Sequence, residues 1–211
     1  MEIEEKKRYG DVSRRNFVKV MGSGIAGTAA ILDGLIGEKA EAKTISVYSK
    51  PTAKLCGMYP ILPTPFHDDE TFDFKSMKKL IDYLIAEGVD GVVTLANASE
   101  GHLLSDSEKE RLAAEVIRLV DGRVPTIISA THFSSRVAAK KAKWAENEGA
   151  DALLTLPPFF GSWRANVKLI KDHLRRINDS VSIPIILQDH PLTGISLSAG
   201  DLCGLITEIP G

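Results

Sequence analysis

The sequence is poor in the features that would narrow it fastest. It holds 2 cysteines, Cys56 and Cys203, in 211 residues. That excludes a disulfide-dense scaffold and a cysteine-based zinc module. Neither sign of charge dominates: 26 Lys and Arg face 28 Asp and Glu, a formal net charge of -2. Nucleic-acid binding calls for a basic face, so no nucleic acid is expected as a partner. Aromatic residues make up only 6%. No run beyond residue 42 approaches the roughly 20 apolar residues that a membrane span needs. What remains is 44% hydrophobic and 26% charged, enough apolar material for a packed core.

The first forty residues read as an address. Ser13-Arg14-Arg15-Asn16-Phe17-Val18-Lys19 is a twin-arginine pattern, followed by a weakly apolar Gly- and Ala-rich run to Gly37. Ala40-Glu41-Ala42 supplies a small-polar-small cleavage site. Asp33 lies inside the run, and an acidic residue at mid-membrane costs about 2.5–3.5 kcal/mol on insertion scales. Residues 1–42 are therefore expected to be a twin-arginine export signal that meets the membrane only transiently. The product would be periplasmic or extracellular, or cytoplasmic if the signal goes unused. Residues 43–211 are the remaining domain.

In that domain short apolar runs alternate with amphipathic stretches. Strands are expected at Met58–Leu62, Gly91–Leu95, Thr126–Ala130, Ala152–Leu156 and Ile183–Leu187. Helices are expected from Phe74 to Ile85, after the capping box Ser105–Glu108, from Ser134 or Ser135 to Glu148, over Ala165–Ile177 and over Ser198–Ile209. The strands are apolar throughout, as in a parallel sheet covered by helices. Ala86-Glu87-Gly88-Val89-Asp90-Gly91-Val92 is echoed by Asn147-Glu148-Gly149-Ala150-Asp151-Ala152-Leu153, two strand–helix units later. That repeat favours a (β/α)8 barrel of the TIM type over a doubly wound sheet, for which no phosphate-binding Gly-rich turn is present. Five strand–helix units are visible where such a barrel has eight, so the chain is expected to be the N-terminal part of a longer barrel.

Barrel chemistry sits at the C-terminal ends of the strands. The residues there are Thr64 and Phe66; Asn97, Ala98, Ser99, Glu100 and His102; Thr131, His132 and Phe133; Pro157 to Phe160; and Gln188, Asp189 and His190. Three motifs among them carry a resemblance: Leu62-Pro63-Thr64-Pro65-Phe66, Ala96-Asn97-Ala98-Ser99-Glu100, and Gly149-Ala150-Asp151-Ala152 with Leu156-Pro157-Pro158-Phe159-Phe160. Gln188-Asp189-His190-Pro191 with Thr193-Gly194 is a fourth. In this order they resemble the dihydrodipicolinate synthase and N-acetylneuraminate lyase family, from about Met58 to Gly211.

The resemblance implies a lyase that joins a lysine to a 2-keto acid such as pyruvate as a Schiff base, with no separate cofactor and no metal. It implies a homo-oligomer, a tetramer. It places substrate binding at Thr64, Asn97, Ala98, Ser99 and Phe160, and proton transfer at Gln188, Asp189 and His190. The Schiff-base lysine would fall a few positions beyond Gly211. The sequence also departs from the family pattern. Gln188 stands where a proton-moving tyrosine is expected, and an amide cannot act as acid or base. Phe159 and Phe160 replace a tyrosine pair, Asn97 and Ala98 replace two hydroxyl residues, and Leu192 stands where synthases keep an arginine. A sugar-acid aldolase or dehydratase fits these departures better than a lysine-pathway synthase.

Two other readings stay open. One is an exported sugar-acid-binding protein that has lost the chemistry. The other is a metal-dependent lyase using the rim residues Glu100, His102, His132, Asp189 and His190. Cys56 and Cys203 are expected to be small buried side chains, Trp144 a packing residue, and Lys140, Lys141 and Lys143 a solvated helix face.

Overall fold

A computed structural model describes residues 55–158, 166–190, 193, 195 and 197–209. The expected export signal and Phe160 lie outside the described residues.

Among the described residues four parallel strands line up in chain order: β1 Val92–Thr94, β2 Thr126–Ser129, β3 Ala152–Thr155 and β4 Ile185–Leu187. Val93 pairs with Ile127, Ile128 with Leu153, and Leu154 with Ile186. Five helices alternate with them: α1 Phe74–Ala86, α2 Asp106–Val120, α3 Ser135–Glu148, α4 Val167–Asn178 and α5 Ala199–Glu208. A doubly wound sheet reverses its strand order part-way across. Here every strand pairs with the next one in the chain, which is the wall of a barrel. The chain thus carries five strand–helix units of a (β/α)8 barrel.

The first unit differs from its expected form. Met58–Leu62 is not a full strand. Ile61 makes a single parallel bridge to Val93, held by Leu62 N donating to Val93 O (2.8 Å) and Val93 N donating to Pro60 O (3.0 Å). Pro60 has no N–H to give, so the ladder cannot extend toward Met58. The other strands are each shorter than their apolar runs by one to two residues. Leu95, just past β1, has φ 60° and leaves the sheet there.

Both faces of β1, β2 and β3 are buried, while β4 is half-buried throughout, which explains the unbroken apolar runs. Val93, Ile127, Ala152 and Leu154 point to the barrel interior with Ala96 and Leu156. Ile128 and Leu153 point outward against Ala113 of α2 and Ala138, Ala142 and Ala145 of α3. The small residues of α3 let that helix lie close to the strands. Val92 packs with Met77 and Ile81 of α1 and Leu112 and Val116 of α2. Helix starts follow their capping chemistry. Ser105 Oγ accepts from Glu108 N (3.3 Å) while Glu108 Oε2 accepts from Ser105 N (2.8 Å), the reciprocal box read from the sequence. Ser198 and Asp201 do the same for α5.

The internal echo has a mechanical reason. Asp90 Oδ2 accepts from Met58 N (2.7 Å), and Asp90 N donates back to Met58 O (3.0 Å). Two units later, Asp151 Oδ2 accepts from Thr126 N (2.7 Å), and Asp151 N donates back to Thr126 O (3.0 Å). Each aspartate therefore clamps the start of the preceding strand to the start of its own. The glycine two residues before each aspartate sits at positive φ, 84° for Gly88 and 101° for Gly149, and turns the chain out of its helix. Thr126 is buried, so Asp151→Ala strands a backbone donor. A loss of about 1–3 kcal/mol is expected, measured by urea denaturation, with Asp151→Asn recovering part of it.

The cysteine expectation is corrected: Cys56 and Cys203 are both free and exposed. Leu205, not Cys203, faces inward on α5, and Cys56 lies in the loop before the first bridge. Among the described residues no helix is long and apolar enough to cross a membrane.

Candidate active site

A cleft of about 310 Å³ opens at the C-terminal ends of β1 and β2. Asn97, Gly101 and His102 line it from the loop after β1; Ser129, Thr131, His132 and Phe133 from the end of β2; Leu156 from the end of β3; and Thr193 from the loop after β4. It continues outward to Lys109 and Glu110 of α2 and Lys141 and Trp144 of α3.

The loop after β1 is folded tightly. Asn97–Ser99 forms one 3-10 turn, and Glu100 follows with φ 55°. A Cβ at Gly101 would come within 2.4 Å of the Leu95 carbonyl oxygen, so only glycine allows this close return. The turn leaves two buried donors without partners, Asn97 Nδ2 and Ser99 Oγ. Thr64 is also buried and donates its hydroxyl to Ser99 O (2.7 Å). Of the residues expected to bind substrate, Asn97 lines the cleft. Ser99 is wholly enclosed, Thr64 braces Ser99, and Ala98 faces solvent.

The residues expected to move protons sit one strand further along. Gln188 N donates to Thr155 O (2.9 Å), which anchors the end of β4. The Gln188 Oε1 is buried and accepts nothing. Asp189 is exposed and His190 half-buried. The His190 carbonyl accepts from Thr193 N (3.0 Å) and Thr193 Oγ1 (2.8 Å). None of the three lines the cleft itself.

The outer part of the cleft was legible only in fragments. Lys141 is not simply a solvated charge: its Nζ donates to Asp106 Oδ1 (2.6 Å), and Lys109 Nζ lies 3.8 Å from the same oxygen. Burial, and then the Lys141 charge, hold the Lys109 ammonium below the usual lysine range against the pull of Asp106. His132 Nδ1 accepts from Ser134 N (2.9 Å), and its ring stacks on Phe133 with centroids 4.4 Å apart. Burial, and then Lys141, hold its imidazole below the usual histidine range. Trp144 does pack on the outer core as expected, but it also lines the cleft. Among the described residues no three His, Cys, Asp or Glu side chains converge as a metal ion would require, so the metal-dependent alternative finds no ligand set among them.

A family model, the dihydrodipicolinate synthetase family, matches residues 54–210. The chain belongs to that family. Its relatives include the L-2-keto-3-deoxyarabonate dehydratase of Azospirillum brasilense, 35% identical over 162 residues, 76% of this chain and 52% of the relative. Another is the 4-hydroxy-tetrahydrodipicolinate synthase of Parabacteroides distasonis, 32% identical over 69% of this chain and 48% of the relative. Among solved structures, a prophage protein of the dihydrodipicolinic acid synthase family from E. coli K12, in complex with pyruvate, is 30% identical. It has a TM-score of 0.65 and covers 70% of this chain and 50% of its own. The chain spans about half the length of the curated relatives it matches. It is therefore a member of a lyase family carrying the β1-side half of the rim.

Proposed function

We propose that the whole protein is a Schiff-base-forming lyase, an aldolase or dehydratase, acting on a 2-keto acid or keto-deoxy sugar acid. The observation that carries this reading is the Asn97 amide. It is a buried donor with no partner, at the C-terminal end of a barrel strand, in the motif slot that the family resemblance assigns to the substrate carboxylate. Leaving such a donor unmade costs about 1–3 kcal/mol; a carboxylate oxygen would satisfy it. Relatives named as a keto-deoxy sugar acid dehydratase and as synthases support the same class.

In this chemistry a lysine amine adds to the C2 carbonyl and water leaves, giving an iminium that draws electrons from the neighbouring carbon. Either a carbon–carbon bond then breaks or a hydroxyl departs. The resemblance puts that lysine beyond Gly211. Gln188 can only hold a hydrogen bond, so the proton passes instead through Asp189 or His190 beside it. The same reading includes a homo-oligomer, a tetramer, and export by the twin-arginine route through residues 1–42. An exported binding protein without turnover is the second reading, and Gln188 is what favours it.

The test is reductive trapping. Protein expressed to the natural stop of its coding sequence is incubated with pyruvate and borohydride, then mapped by mass spectrometry. A single modified lysine is expected. No adduct at saturating pyruvate would leave only the binding protein.

A further inference from the structure

We propose that Lys109 is a nucleophilic amine at the outer end of the rim cleft, and that it takes up small aldehydes there as reversible imines. This amine is separate from the Schiff-base lysine of the proposed lyase, which the family resemblance puts beyond Gly211.

Three observations single it out. The first is its place. Lys109 lines the cleft of about 310 Å³, with 26% of its side chain exposed. A small carbonyl compound entering the cleft meets an ammonium already stripped of much of its water, and burial favours the neutral amine.

The second is charge. Lys141, with 20% of its side chain exposed, lines the same cleft from α3. One carboxylate oxygen, Asp106 Oδ1, serves both ammonium groups. It lies 2.6 Å from Lys141 Nζ and 3.8 Å from Lys109 Nζ. Lys109 is therefore left with a cationic neighbour and the more distant share of the counter-ion. A second cation beside a lysine favours its free amine. Glu108, on the same turn, is engaged with Ser105. The other titratable groups lining the cleft, among the described residues, are His102, His132 and Glu110.

The third is the helix. Lys109 follows Asp106, Ser107 and Glu108 in the first turn of α2, where the positive end of the helix dipole opposes a cation.

The Lys109 lone pair adds to the aldehyde carbon, an N–H proton passes to the oxygen, and water leaves. The product is an imine, and its protonated form is again a cation that Asp106 stabilises. Acylation would abolish that charge and forfeit the pairing, so an aldehyde suits the site better than an acyl donor. An aldolase would release an aldehyde at the inner end of this cleft, but the reactivity of Lys109 does not depend on that.

The test is competitive labelling. The full-length protein is incubated at pH 7.5 with limiting acetaldehyde and cyanoborohydride, which reduces the imine to a stable secondary amine. Labelled lysines are then quantified by peptide mapping. Lys168 is the internal reference, because 82% of its side chain is exposed. Lys109 is expected to label at least about threefold faster despite its enclosure, since free amine rises about tenfold for each unit by which a pKa falls. Lys141→Met is expected to cut that advantage by leaving Asp106 to Lys109 alone. Lys141→Arg, which keeps the charge, is expected to preserve it. Lys168 should label at one rate in all three proteins. Labelling of Lys109 no faster than Lys168, or an undiminished advantage in Lys141→Met, would overturn the proposal. Pyruvate trapping reads the lyase lysine and aldehyde labelling reads Lys109, so either proposal can fail alone.

Discussion

Replacing Leu153 by alanine is expected to remove about 3–4 kcal/mol of stability, within the range measured for buried leucines. Leu153 lies at the middle of β3 with no exposed surface, bridged in register to Ile128 on one side and Ile185 on the other. Its side chain fills the layer between strands and helices, against Ala138, Ala142 and Ala145 of α3. Those neighbours are alanines with fixed backbones, so they cannot swing into the space left behind. A melting point lower by about 10 °C follows for a domain of this size. A shift of only a degree or two would mean that α3 slides inward and closes the cavity. Leu153→Ile, which keeps the volume, is expected to cost less than about 1.5 kcal/mol.

Acid is expected to unfold the domain earlier than its carboxylates alone require, and His173 is the reason. It lies on α4 with 2% of its surface exposed. Its Nδ1 is 3.1 Å from Ser135 Oγ at the start of α3, and its Nε2 is buried without a partner. Burial, and then the neighbouring His132, push its pKa down to about 4. In the unfolded chain a histidine titrates near 6.5. The folded state therefore resists a proton that the unfolded state accepts. The stability held by the neutral ring is complete above about pH 6.5 and is lost as pH falls toward about 4. The gap corresponds to roughly 3 kcal/mol. Glu146, hydrogen-bonded by Lys143 and Ser182 against the opposing cost of its burial, is held down to about 2. Its contribution is lost only below the ordinary glutamate range, so the two effects separate on the pH axis. Urea titrations at pH 7.5, 6.0 and 4.5 check this. Wild type should lose stability steadily, whereas His173→Gln, which can still bond Ser135, should lose much less. His132 acts in the same sense and remains in both proteins, so the difference isolates His173. Equal slopes would mean that the folded ring takes up its proton without penalty.

Much of the scaffold was legible because its signals are local. A capping box is four consecutive residues, and Ser105 with Glu108 forms it as read. Helix periodicity located the five described helices to within a few residues, since burial of one stripe imposes the spacing directly. The Gly-x-Asp echo pointed to equivalent units before any strand was paired, and Asp90 and Asp151 make the same reciprocal bonds in both. Strand ends were less legible. An apolar run does not say where ladder pairing stops, and Pro60 on one side and the turn-out of Leu95 on the other ended it earlier than hydrophobicity alone suggested. The cysteines were misjudged because a small apolar side chain carries no periodic mark of which face it occupies.

The candidate site divides the same way. Asn97 could be named from its place after a strand in a recognisable motif. Lys109, Glu110, Lys141 and Trp144 could not be grouped, because they belong to two helices some thirty residues apart, and each alone reads as an ordinary surface or packing residue. Only the close approach of α2 and α3 at the rim brings them together. By itself the sequence determined the alternation of strands and helices and the family, since these depend on short-range pattern. The tertiary structure decided that the strands pair in chain order, that Lys109 and Lys141 share one carboxylate, and that His173 is sealed from water. Those depend on which distant segments exclude solvent from one another, and no local pattern encodes that.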